Sequence, residues 1–112
     1  MDDLDLLIYQ HIIKAVKAAK FIVSSDLSGH IRRLRVEPPH GYRFAHGRVY
    51  GLCMEEDNAL VIRRYRVKTL GYLGQEAAFT WEPGDPAFDP NKLAQDVVKV
   101  LVALKLRRAK HD

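Results

Sequence analysis

GYRFAHGRVYGLCMEEDNALVIRRYRVKTLGYLGQEAAFTWE, residues 41–82, is the stretch whose reading decides the fold. Arginines and aromatics interleave in it: Arg43, Phe44, Arg48 and Tyr50, then Arg63, Arg64, Tyr65 and Arg66. Residues 60–67 form a β-branched run typical of a strand, and the short apolar run at residues 77–81 pairs with it across KTLGYLGQ. Residues 42–57 admit two readings. As a helix they turn Phe44, Val49, Leu52 and Cys53 or Met54 inward and stop at Asn58. As a strand, residues 48–54 turn at EEDN into residues 60–67. Gly47, Gly51 and the acids at the segment's end oppose the helix. The helix is nevertheless the reading carried into the fold assignment, with the hairpin as its rival.

Outward from this centre, residues 2–20 predict an amphipathic helix. Leu4, Leu7, Ile8, Ile12, Ala15, Val16 and Ala19 recur at helical spacing, with acids in the first turn and lysines in the last. Residues 21–23 suit a short strand. Ser24 or Ser25 then offers an N-cap for a second helix, DLSGHIRRL, burying Leu27, Ile31 and Leu34. Two prolines and a glycine at 38–41 stop it. Downstream, residues 82–86 form a turn-rich linker. Asp89-Pro90 opens a last helix over residues 91–108, aspartate as N-cap and proline at the first helical position. The apolar arc of that helix is wide enough to ask for a second covering surface.

With 112 residues, the chain is long enough for one core without disulfides or metal. Its net charge of +4 is only mildly basic. Between residues 30 and 75, however, Arg32, Arg33, Arg35, Arg43, Arg48, Arg63, Arg64, Arg66 and Lys68 face only Glu37, Glu55, Glu56 and Asp57. The middle of the chain therefore holds the whole positive excess, which suits an anionic partner. One cysteine, Cys53, excludes an internal disulfide. The acidic start MDDLDL does not read as a secretory signal, and no apolar run is long enough for a membrane helix. These features predict a soluble, cytoplasmic protein, and the scarcity of Ser, Thr, Asn and Gln suits a thermophilic source. His40, His46 and Cys53 match no zinc spacing, so no metal is expected. No cofactor, small-molecule ligand or catalytic group is expected either.

The order helix, short strand, helix, loop, helix, strand, glycine loop, strand resembles the winged helix-turn-helix superfamily. IVSSDLSGHI resembles the start of its second helix, GRVYGLCMEEDNALVIRRYRV the third helix running into the first wing strand, and EAAFTW the returning strand. The resemblance implies an α+β, mainly helical fold: three helices plus a two- or three-stranded β-wing over residues 1–82, with an extra C-terminal helix in residues 83–112. It further implies a homodimeric, DNA-binding transcriptional regulator or chromatin-associated factor that prefers duplex. Tyr42, Arg43, His46 and Arg48 would enter the major groove. Arg64, Arg66 and Lys68 would belong to the wing, and Arg32, Arg33 and Arg35 would clamp a phosphate. Leu93, Val97, Val98, Leu101 and Leu104 would form the dimer seam. Two alternatives remain open. If residues 42–57 are strand, a sheet bearing arginine and tyrosine suits single-stranded DNA or RNA. The other is a non-catalytic adaptor within a larger assembly.

Overall fold

A computed structural model describes residues 3–25, 33–55 and 58–109. Two α-helices and seven strands follow one another in it: α1 (Asp3–Ala18), β1 (Ile22–Ser25), β2 (Arg33–Glu37), β3 (Tyr42–Phe44), β4 (Arg48–Glu55), β5 (Ala59–Arg66), β6 (Tyr72–Thr80), α2 (Pro90–Ala103) and β7 (Leu106–Arg108). The main sheet is antiparallel with strand order β1-β2-β4-β5-β6, and β3 pairs with β7 in a separate two-stranded ribbon. This architecture replaces the predicted winged helix. The described residues are α+β with two α-helices rather than a mainly helical fold.

Two predicted helices account for the correction. Residues 42–57 contain β3, a 3-10 turn at Ala45–Gly47 and β4, so the hairpin reading holds and the third helix does not exist. Six consecutive residues of β4, Val49 through Met54, are buried. A strand buried on both faces shows no alternation, and its apolar run also fits helical spacing. The predicted second helix fails at its end, where Arg33–Glu37 is β2. There Leu34 and Val36 point inward while Arg33, Arg35 and Glu37 point outward, an alternation of period two. Most of that predicted helix, including Arg32, lies outside the described residues. The last helix is also shorter than expected, because Leu104 turns to extended backbone and Leu106–Arg108 joins β3.

Other expectations hold. α1 and β5 fall where predicted; β1 runs on through Ser24 and Ser25, the residues expected to cap a helix, and β6 pairs with β5 but starts at Tyr72, inside the expected loop. The Asp89 carboxylate accepts from the Asn91 amide at 2.9 Å, with Pro90 opening α2. Both helices lie on one face of the sheet. Ile8, Ile12 and Val16 of α1 and Leu93, Ala94, Val97 and Leu101 of α2 share one core with Val36, Leu52, Met54, Leu60 and Ile62. Trp81 is buried as expected and stacks on Phe88 with ring centroids 5.3 Å apart. Val49, Cys53 and Val61 are buried yet stand outside that core, since their register puts them on the opposite face. Among the described residues no helix covers that face, and none is long and apolar enough to cross a membrane.

Candidate functional site

The site grows from the β3–β7 ribbon. Phe44 is buried in the core and Leu106 packs against it, and these two residues are cross-strand partners. Alternation therefore turns the next pair, Arg43 opposite Arg107, to the other side. Like charges directly opposite on paired strands repel by up to roughly 1 kcal/mol. Both arginines line a cleft of about 500 Å³. The 3-10 turn that follows adds His46, held at φ 64, and Gly47, whose carbonyl accepts from the Val67 amide at 2.9 Å. That bond ties the β5–β6 loop to the cleft wall, and the same loop brings Lys68 to the cleft. β4 begins there with Arg48, opposite Arg66 in the sheet register and so a second like-charged pair.

Arg35 of β2 completes the lining, its Nε 3.2 Å from the Glu37 carboxylate. Glu37 is the only acid among the described residues that line the cleft, and Pro38, Phe44, Val49 and Val67 supply apolar walls. Among the described residues no carboxylate makes an ion pair with Arg43, Arg48, Lys68 or Arg107. The cleft is thus a concave surface with a large surplus of guanidinium and ammonium donors, the chemistry that holds phosphate oxygens.

A smaller hollow adjoins it on the open sheet face and shares Arg35 and Val49 with it. Gly51, Tyr65, Leu70 and Arg33 are among the residues that line it, with Gly51 under the Tyr65 ring. The Tyr65 ring is tilted against Tyr72 with centroids 5.8 Å apart. Arg63 lies 5.8 Å from the Tyr72 ring centroid and ion-pairs with Glu55. Burial pushes the Cys53 thiol up from its ordinary value, and burial likewise raises the Tyr65 phenol beside it. Both are neutral at physiological pH.

Of the predicted nucleic-acid residues, the cleft collects Arg35, Arg43, His46, Arg48 and Lys68. Arg33 stands at the neighbouring hollow. Tyr42 and Arg66 are exposed and line neither depression. Arg64 is committed elsewhere: Nη2 donates to the Gln75 carbonyl at 2.9 Å, and Nε lies 3.2 Å from Glu76. Arg107 was missed, because residues 91–108 read as one helix whose end favours basic side chains. The predicted dimer seam is placed differently. Leu93, Val97 and Leu101 are buried in the chain's own core, and Val98 and Leu104 pack against it. The sheet and α1 supply the second surface that the broad arc asked for. Compared with known proteins, the chain matches no family model, no curated protein and no solved structure.

Proposed function

We propose that this protein binds nucleic acid, holding the sugar–phosphate backbone in the basic cleft. One observation carries the reading. Arg35, Arg43, Arg48, Lys68 and Arg107 converge with His46 on a single concavity whose described lining contains one acid. Charges of one sign, brought together from β2, β3, β4, β7 and the β5–β6 loop, oppose folding of the free chain, and a bound partner of opposite sign relieves that repulsion. A polyanion is the partner that uses all of them at once. Its affinity comes chiefly from counterion release and falls steeply with salt.

Fluorescence-anisotropy titration of a labelled oligonucleotide over a series of salt concentrations tests this. Replacing both Arg43 and Arg107 with alanine should flatten the slope of log affinity against log salt by about 0.7–0.9 for each phosphate that is no longer neutralised. Equal slopes for the variant and the parent protein would remove the cleft from the interface.

A further inference from the structure

We propose that the hollow beside the cleft receives one unstacked base of a single-stranded nucleic acid while the cleft holds the adjoining phosphates. This rests on the backbone-binding reading above and adds the kind of strand and the place of a base. The hollow measures about 210 Å³, against about 500 Å³ for the cleft, and the two meet at Arg35 and Val49. A backbone lying in the cleft therefore passes the mouth of the hollow.

Three features give the hollow the shape of a base site. Gly51 lines it from the interior of a central strand, where glycine weakens pairing and marks a close approach, here that of the Tyr65 ring. No positive φ requires glycine there. A Cβ at that position would stand 3.0 Å from the Tyr65 ring, so the missing side chain is what leaves the ring its place. One wall is that ring, a stacking surface indifferent to base identity. The other wall is Leu70, an exposed leucine held at φ 57 in the left-handed region. Such a backbone disfavours leucine by roughly 1–2 kcal/mol, an outlier that accords with a side chain kept for what it touches.

Arg33 and Arg35 also line the hollow, and their guanidiniums, which only donate, favour base edges rich in acceptors. A paired base, stacked between its neighbours within a duplex, cannot turn into a hollow set beside the backbone cleft. The geometry therefore selects strands whose bases are free.

The test compares three labelled probes at low salt: a short single-stranded oligodeoxynucleotide, the same sugar–phosphate chain lacking bases, and the duplex. The base-bearing single strand should bind about tenfold more tightly than the baseless chain, as expected for a stacked base. It should also outcompete the duplex. Leu70→Gly, whose backbone suits glycine, should bring the two single chains close to parity, and Gly51→Val, which displaces the Tyr65 ring from its place, should do the same. Equal affinity of the parent protein for the base-bearing and baseless chains overturns the base pocket and leaves the backbone site standing. So does an undiminished preference in Leu70→Gly, or tighter binding of the duplex. Failure of all three probes to bind overturns both proposals.

Discussion

Leu70 and Cys53 show how single residues separate stability from binding. Leu70 closes the β5–β6 loop, its amide bonding to the Arg66 carbonyl at 2.8 Å. Glycine at this position relieves the left-handed backbone but adds freedom to the unfolded chain, and the two effects are of similar size. Leu70→Gly should therefore shift urea stability by less than about 1 kcal/mol. A larger loss would mean that the side chain is held for packing. Cys53 gives a pH dependence. Burial raises its thiol above the ordinary 9.0, so the native state favours the protonated form. The stability this supplies is fully present below the unfolded thiol value and is lost as pH rises through the folded one. The buried phenols of Tyr50 and Tyr65, raised from 10.0, extend the loss to higher pH. Urea midpoints should accordingly begin to fall near pH 9.0, and Cys53→Ala should delay that onset. An onset at the same pH in the variant would assign the fall to other groups. Residue chemistry was legible in the sequence where it depended on composition: of the arginines in the middle segment, Arg35, Arg43 and Arg48 line the cleft. Arg107 was not, since only the pairing of β7 with β3 takes it out of a helix end.

Elements were legible where a local signal was unambiguous: α1 follows from its periodicity, β5 from its β-branched run although Leu60, Val61 and Ile62 are all buried, and α2 from its Asp89-Pro90 start. β4 is buried on both sides, and a run of apolar residues then fits either helix or strand. Its two glycines were the physical signal: Gly47 takes φ 64, and Gly51 lies under the Tyr65 ring. A contact between α1 and β4 also sets the spacing of the two layers. The Met54 amide donates to the Tyr9 hydroxyl at 3.0 Å, and that hydroxyl lies 3.5 Å from the Leu52 carbonyl. This bond satisfies a buried strand amide from a helix, so losing its acceptor leaves a desolvated donor. Tyr9→Phe should lower stability by about 1–3 kcal/mol in urea unfolding. It should leave oligonucleotide affinity intact, since Tyr9 lines neither depression. A stability loss near zero would show that the amide finds another acceptor.

At the scale of the whole molecule, the fold assembles one electrostatic site from segments far apart in sequence, with Arg35 and Arg107 on different sheets. The sequence could reveal the surplus of charge but not this convergence, which depends on β2 crossing to β4 and β7 returning to β3. The β3–β7 ribbon is the part least secured by its own pairing, because an isolated two-stranded ribbon is marginal and this one sets two arginines opposite each other. Phe44 and Leu106 anchor it through the core, while Arg43 and Arg107 push it apart. A bound phosphate between those arginines would replace repulsion with two charge-assisted contacts. Native-state hydrogen exchange should then resolve two populations of amides. Those of β4 and β5 should exchange slowly with or without ligand, because they sit at the centre of the sheet. Those of Arg43 and Arg107 should exchange faster in the free protein and slow selectively on adding single-stranded oligonucleotide. Salt sufficient to release the oligonucleotide should abolish that protection. Ligand protection confined to β5 and β6, with the ribbon unchanged, would move the backbone site off the cleft and along the hairpin instead.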